Sequence, residues 1–411
     1  MSLGIPLAMP RPLAVVMVGL PARGKTYIAR KLARYLDWTG YRATVFNVGN
    51  YRRERFGAQV PASFFDPTND DGLTRRRQAA KVAMTDMLAW FGSGGQIGIY
   101  DATNSTHARR AWVTEQCEAA GIDVLFIETL CNDPAIIAAN IRETKLLAPD
   151  YQGIDPEQAV ADFRARIAHY EEAYEPIDAE DISCVKLIDV GTRVEAQHVS
   201  GYVQGRITQF VMNLHITPRT IWLTRHGEST ANMAGVIGTD MPLTHRGAAY
   251  AHALAAHIHG LDDPPASVWT STLQRTIQTA APLNRTTSPL KVLDEIDAGV
   301  CDGMTYAQIQ TTMPSEFARR RADKLTYRYP RGESYTDVIG RLDPLILEIE
   351  RQRNPILIVS HNAVVRVLLG YLADMPRADV PHTKIPLHTL IAATPRAYGC
   401  DVRFLPLLDD R

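Results

Sequence analysis

Long apolar runs, paired cysteines and net charge are all missing from this 411-residue chain, and each absence closes off a class of protein. No apolar stretch approaches the roughly 18–20 residues that span a bilayer, so no membrane partner is expected. Met1 to Arg11 has no charged segment followed by an apolar one, so no secretory signal is read there and the expected compartment is the cytoplasm. Five cysteines (Cys117, Cys131, Cys184, Cys301 and Cys400) show neither pairing nor C-x-x-C spacing, which suits reduced thiols. Lys and Arg total 44 and Asp and Glu 45, a formal charge of −1, so no overall field draws nucleic acid or an anionic surface. A basic stripe interleaved with aromatics is also missing, and no nucleic-acid partner is expected. There is no internal repeat, low-complexity tract or lipidation motif. An anionic substrate must therefore be caught by local groups of Arg and Lys.

What is present is ordinary globular material, 45% hydrophobic and 22% charged, long enough for two domains of about 100–200 residues. Apolar runs alternate with amphipathic stretches throughout, the βαβ pattern of parallel sheets. In the first half the pattern predicts strands at 13–18, 43–48, 97–100, 124–128 and 185–189, with helices at 25–36, 75–91 and 156–174. A second series opens with a strand at 220–224 and continues with strands at 267–270, 356–360 and 387–392 and helices at 245–259, 335–351 and 363–372. The stretch 196–214 reads as a closing helix of the first series. Two tandem α/β domains of three layers are expected, residues 1–217 and 218–411.

The first strand runs into Gly19-Leu20-Pro21-Ala22-Arg23-Gly24-Lys25-Thr26, which fits G-x-x-x-x-G-K-[ST] between a strand and a helix. The glycines let backbone N–H groups approach a polyphosphate, and the helix N-terminus adds positive potential. Lys25 can reach the β- and γ-phosphates, and the Thr26 hydroxyl can hold Mg²⁺. A plain glycine turn is the alternative. Asp101 ends a strand where such an enzyme needs a carboxylate for Mg²⁺, although a strand-end Asp can equally cap the next helix. Arg52, Arg53, Arg75 to Arg77, Arg109, Arg110, Lys145 and Arg166, near Tyr170, follow strands, where α/β sheets bind ligands. Taken singly, each also reads as a solvated surface residue.

In the second half Arg225-His226-Gly227-Glu228 ends the opening strand, placing an imidazole and a guanidinium at the sheet edge. Phosphoryl transfer to histidine needs a neutral ring nitrogen aimed at phosphorus, with cations around the oxygens. A histidine that caps a helix is the alternative. His361 follows a second apolar strand, Arg275 a third, and Glu295 supplies a candidate general acid. Two His, two Arg and one Glu make a set that needs no metal. In it Arg225, Arg275 and a protonated His361 would offset charge on the phosphoryl oxygens.

These residues carry a resemblance. Gly19–Tyr27, Tyr51–Glu54, Asp101–Asn104, Ile127–Pro134 and Tyr329–Tyr335 together resemble the 6-phosphofructo-2-kinase/fructose-2,6-bisphosphatase family from about Leu13 to Leu405. The second half alone resembles the phosphoglycerate-mutase-like histidine phosphatases. The resemblance implies a P-loop NTPase-like kinase followed by a histidine phosphatase. They would make fructose 2,6-bisphosphate from ATP and fructose 6-phosphate and hydrolyse it again, controlling the balance of glycolysis and gluconeogenesis. It places ATP on Gly19 to Tyr27 with Asn140 and Lys145, gives catalytic roles to Lys25 and Asp101, and gives Mg²⁺ to Thr26 and Asp101. It places fructose 6-phosphate on Arg52, Arg76, Thr103, Arg109, Lys145, Arg166 and Tyr170. Cys131 would lie by the nucleotide or simply be buried in the core. His226 becomes the phosphorylated residue and Glu295 the proton donor. Asn232, Gly238, Tyr306, Arg320, Lys324, Tyr335, Asn362 and Arg366 hold the bisphosphate. A homodimer is compatible with the resemblance.

There are departures. Asn362 stands where the animal enzymes are expected to have Gln, the segment Phe56–Leu73 matches poorly, and Cys301-Asp302-Gly303 differs locally. Long regulatory extensions of the kind seen in some animal members have no counterpart here, so phosphorylation of such tails is not expected to regulate the chain. The competing readings are one significant activity of the two, a catalytically silent metabolite binder, and a kinase–phosphatase acting on nucleic-acid ends. Intact Lys25, Thr26, Asp101, His226, Glu295 and His361 weigh against the silent binder.

Overall fold

The structure is a computed structural model that describes residues 9–142, 149–178, 180, 182–189, 191–215, 217–396 and 399–408. The chain divides between Ile216 and Thr217 into two compact units. Among the described residues no helix is long and apolar enough to cross a membrane.

The first unit is a six-stranded sheet in the order β2-β3-β1-β4-β5-β6. Its strands are β1 (Leu13–Val18), β2 (Ala43–Asn47), β3 (Ile97–Asp101), β4 (Asp123–Leu130), β5 (Cys184–Ile188) and β6 (Arg193–Gln197). All neighbours are parallel except β5 and β6. The helices are α1 (Lys25–Thr39), α2 (Val48–Phe56), α3 (Asp70–Gly92), α4 (His107–Ala119), α5 (Pro134–Asn140), α6 (Pro156–Glu172) and α7 (Gly201–Val211). Every residue of β1 is buried, as a parallel strand covered by helices on both faces requires. One core cluster joins Val16 and Val18 to Met84, Met87 and Phe91 of α3 and to Val113 and Cys117 of α4. The expected closing helix at 196–214 is corrected. Residues Arg193–Gln197 form an exposed antiparallel edge strand, and only Gly201–Val211 is helical.

The second unit has strand order β12-β11-β7-β10-β8-β9. Here β7 is Ile221–Arg225, β8 Ser267–Thr270, β9 Thr287–Pro289, β10 Ile356–Ser360, β11 Thr389–Arg396 and β12 Gly399–Pro406. The four strands β7 to β10 pair in parallel, and β11 and β12 run antiparallel. Its helices are α8 (Thr230–Ala234), α9 (His245–His259), α10 (Gln274–Ala280), α11 (Tyr306–Thr312), α12 (Pro314–Ala322), α13 (Tyr335–Arg351) and α14 (Asn362–Leu372). Tyr250, Leu254 and Ile258 of α9 pack on Trp222, Val268, Leu357 and Val359 of the sheet. Around the site, Cys301, Ile309, Tyr327 and Tyr329 form a separate small core.

Strand register positions the chemistry. Val18 pairs with Glu128 and Asn47 with Asp101, so Gly19 emerges beside Thr129 and the Asp101 carboxylate beside an amide. Ser360 pairs with Arg225 and Val359 with Thr270, so His226, His361 and Ser271 leave neighbouring strands almost level.

Candidate functional site

In the first unit the chain turns at the end of β1. Gly19 has φ +136°, its N–H donates to Thr103 O (3.0 Å), and a Cβ there would lie 2.5 Å from Thr129 O. Only glycine fits. Ala22 and Gly24 also take positive φ, 61° and 82°, and α1 starts with no side chain capping its N–H groups. That leaves the backbone N–H groups of Leu20, Ala22 and Arg23, Pro21 having none, to face an anion. Lys25 is buried and folds its Nζ onto Leu20 O (2.6 Å). Thr26 follows it on the first turn of α1. Asp101 is 2% exposed and accepts from Asn47 Nδ2, while Asn47 Oδ1 caps α2.

Beside this loop lies a cleft of about 490 Å³ lined by Arg23, Tyr27, Cys131, Asn140, Leu187 and His215 among others. Asn140 Nδ2 donates to Ala22 O (3.1 Å) and Tyr27 Oη to His215 O (2.9 Å). Burial raises the Cys131 thiol above its ordinary pKa, so it stands as an uncharged apolar lining. Lys145 lies outside the described residues.

Two of the arginines singled out in the sequence, Arg52 and Arg166, converge on Phe65. The Arg166 guanidinium stacks 4.4 Å and that of Arg52 5.7 Å from its ring, and Tyr170 packs 5.9 Å away with Arg76 over the Tyr170 ring. Arg109 donates to Tyr100 Oη (3.1 Å) and Asn104 Oδ1 (3.4 Å). Backbone carbonyls of the divergent segment hold several of these guanidiniums. Gly57 O and Ala58 O accept from Arg52 (3.3 and 3.4 Å), Val60 O from Arg166 (3.0 Å) and Asp66 O from Arg76 (3.3 Å). Divergence there is tolerable because a carbonyl is supplied by any residue. The sequence reading missed Asp150, 5% exposed, which pairs with Arg52, with Arg53 (2.8 Å) and with Arg166 (3.8 Å). Burial alone would raise its pKa, but Arg52, then Arg53 and Arg166, outweigh that and hold it below the carboxylate range.

In the second unit His226 is 4% exposed. Its N–H donates to Ser360 O (2.9 Å), and its ring Nδ1 lies 2.7 Å from Gly227 O. A carbonyl only accepts, so Nδ1 carries the proton and Nε2 keeps its lone pair. Burial, then Arg275 and Arg225, push the ring's pKa down to about 3, and it is neutral. The following loop crosses the start of α9 on bare glycines. A Cβ on Gly227 would lie 2.4 Å from Gly247 O, and one on Gly247 2.1 Å from Glu228 O.

The His361 ring sits 5.2 Å from that of His226. Burial first, then Arg275, His226 and Arg225, lower its pKa well below the ordinary value. In the free protein the ring is thereby held neutral. Arg225 donates to Ile385 O (3.0 Å) and Arg275 to Thr239 O (2.6 Å). Burial brings the Arg225 pKa to about 10, so it stays charged at neutral pH. Glu295 Oε1 accepts from Ile296 N (2.9 Å) and Ala363 N (3.2 Å). Arg341, also missed, grips the backbone of that turn at Asp294 O (2.7 Å) and Glu295 O (3.3 Å).

Around this centre Arg366 donates to Thr383 O (2.6 Å) and Tyr335 Oη (3.0 Å), and Lys324 to Pro381 O (2.6 Å). Arg320 lies 4.5 Å over the Tyr306 ring and donates to its hydroxyl (2.8 Å). Gly238, at φ +71°, abuts the Asp302 carboxylate, which accepts from Thr239 N (2.8 Å). Asn232 differs from the others, because its Oδ1 is committed to Ser229 N (3.0 Å) in the cap of α8. Asn362 Oδ1 is buried and makes no hydrogen bond among the described residues.

A sequence model of 6-phosphofructo-2-kinase matches residues 4–218, and one of the histidine phosphatase superfamily (branch 1) matches residues 221–406. The chain is 48% identical over 395 residues to 6-phosphofructo-2-kinase/fructose-2,6-bisphosphatase of Gallus gallus, covering 95% of this chain and 84% of that one. It is 47% identical to 6-phosphofructo-2-kinase/fructose-2,6-bisphosphatase 4 of Homo sapiens, with the same coverage. Against the Arabidopsis thaliana protein of that name it is 47% identical, covering 97% of this chain and 54% of the relative.

Proposed function

Because the chain belongs to the 6-phosphofructo-2-kinase/fructose-2,6-bisphosphatase family, we propose that its first unit makes fructose 2,6-bisphosphate from ATP and fructose 6-phosphate and its second unit hydrolyses it. In the kinase the backbone N–H groups of Leu20, Ala22 and Arg23 cradle the nucleotide phosphates, with Tyr27, Asn140 and the neighbouring cleft receiving the rest of the nucleotide. Bound Mg²⁺ supplies charge neutralisation between the phosphates, and Thr26 and Asp101 are the residues that would hold it. Lys25 leaves Leu20 O to meet the transferring phosphoryl. Arg52, Arg76, Thr103, Arg109, Arg166 and Tyr170 hold the sugar phosphate, so that its 2-hydroxyl attacks in line.

In the phosphatase His226 Nε2 attacks the 2-phosphoryl group, the bond to the sugar 2-oxygen breaks, and Glu295 gives that oxygen its proton. Glu295 then takes a proton from water as water attacks the phosphohistidine, which releases phosphate and restores His226. Arg225 and Arg275 offset charge on the equatorial oxygens. Tyr306, Arg320, Lys324, Tyr335, Asn362 and Arg366 surround the rest of the bisphosphate, and Asn232 reaches it only through its amide nitrogen.

One observation carries this reading most directly. His226 is anchored at Nδ1 with Nε2 left to attack, and burial with the charges of Arg275 and Arg225 keeps the ring neutral. The test is an alkaline quench during turnover of 2-³²P-labelled fructose 2,6-bisphosphate. Label is expected on the wild-type protein and on a slow His361→Ala variant, and not on His226→Ala. Label kept by His226→Ala would sink the assignment.

A further inference from the structure

Three short contacts run from His361 into the wall behind it. His361 Nε2 lies 2.7 Å from Ser271 Oγ, Ser271 Oγ lies 2.8 Å from Thr276 Oγ1, and Thr276 Oγ1 lies 2.8 Å from Leu273 O. All three side chains are fully buried, so water cannot complete any of them. The end of the chain decides the rest. Leu273 O has no proton to give, so the Thr276 hydroxyl donates to it. Thr276 is then the acceptor for Ser271, whose single proton is spent there. Ser271 can only accept from His361, and His361 Nε2 must carry a hydrogen. The two lone pairs of Ser271 are filled by this N–H and by Leu273 N–H (3.1 Å), so the serine is fully satisfied.

The opposite assignment, with Ser271 donating to His361, leaves two oxygens in bare contact at the far end. It also leaves a proton on His361 Nδ1, which is buried and has no partner among the described residues. The forced assignment leaves only a lone pair there.

We propose that Ser271 and Thr276 are positioning residues that hold His361 as its Nε2–H tautomer, leaving Nδ1 free to accept a proton. The inference rests on the phosphatase reading for its purpose. The ring needs a positive charge only while a phosphoryl group is present. One proton from solvent on Nδ1 supplies it, and the Nε2–H···Ser271 bond stays unbroken, so the ring does not turn. Neither residue touches the reacting atoms.

The test combines ¹⁵N-histidine NMR of the full chain with kinetics, the His361 signal being identified by its loss in His361→Gln. The wild type is expected to show Nε2–H. Thr276→Val removes the acceptor for the serine proton, turns that proton toward His361, and is expected to switch the ring to Nδ1–H. With it kcat for fructose 2,6-bisphosphate hydrolysis should fall at least on the order of 10–100-fold, the loss typical when the partner that orients a metal-bound histidine is removed, while KM stays within a few-fold. Thr276→Ser should restore both tautomer and kcat. If Thr276→Val does not fold, Ser271→Ala carries the test and should replace the single Nε2–H signal by a mixture. A wild-type Nδ1–H signal, or a Thr276→Val variant with unchanged tautomer and kcat, overturns the proposal. Nε2–H in a wild type that hydrolyses no bisphosphate would instead overturn the phosphatase reading.

Discussion

Lys324 rests its ammonium on Pro381 O, with Arg320 and Arg366 as its charged neighbours and, among the described residues, no carboxylate paired with it. Burial first, then Arg366 and Arg320, bring its pKa down to about 8. The charged form is the one that attracts an anion, and it is lost as pH rises through that value. KM for the bisphosphate is therefore expected to climb between about pH 7 and 9, with kcat changing less. Lys324→Arg, whose guanidinium stays charged, should flatten the climb. A KM profile of both proteins across that range checks it, and an equally steep rise in the arginine variant would refute it. Lys324 could be singled out from sequence because the family resemblance assigns that position to the bisphosphate. Asp150, Phe65, Ser271 and Thr276 could not. Each matters through a partner brought close only by folding, as Asp150 meets Arg52 across 98 positions and Ser271 meets His361 across 90.

At the scale of elements, each site hangs on a strand, a tight turn and a helix, and the turn is the fragile part. The loop after His226 passes the first turn of α9 backbone to backbone at Gly227 and Gly247. Gly247→Ala puts a methyl 2.1 Å from Glu228 O, where no flexible side chain can yield. The loop must shift, at about 1–3 kcal/mol of stability for an overpacked contact. A displacement near 1 Å at a nucleophile typically costs about 10²-fold, and phosphatase turnover should fall accordingly. Gly260→Ala, at the other end of α9 with only ordinary contacts at 3.6 Å, serves as the control and should turn over like wild type. Melting curves and initial rates of the two variants decide the matter. The buried parallel strands were legible because both faces are covered and their residues run apolar without a break. The edges were not. Arg193–Gln197 has solvent on most of its side chains, so it offered no apolar run and was absorbed into a predicted helix. Its strand character comes from pairing with β5, which no local pattern records.

For the molecule as a whole, the two units carry separate sets of groups, and one preparation should show two different chemical dependences. In excess EDTA the kinase activity is expected to vanish while hydrolysis of fructose 2,6-bisphosphate persists, since no group assigned to hydrolysis holds a metal. Lys25→Ala should likewise remove kinase turnover and leave hydrolysis within a few-fold. Parallel assays on one batch test both statements, and a chelator-sensitive hydrolysis would refute the histidine mechanism. The units also share a habit of construction. Arg52, Arg166, Arg225, Arg275, Lys324 and Arg366 all lean on main-chain carbonyl oxygens. A carbonyl is common to all twenty residue types, so the spelling of the flanking segments is nearly free while their length is not. Along 58–60 a run of single substitutions should pass almost unnoticed, Gly57 at φ +88° being held to glycine, whereas deleting one residue would slide every oxygen out of step with its guanidinium. In such walls the count of residues holds the information, and the letters hold very little.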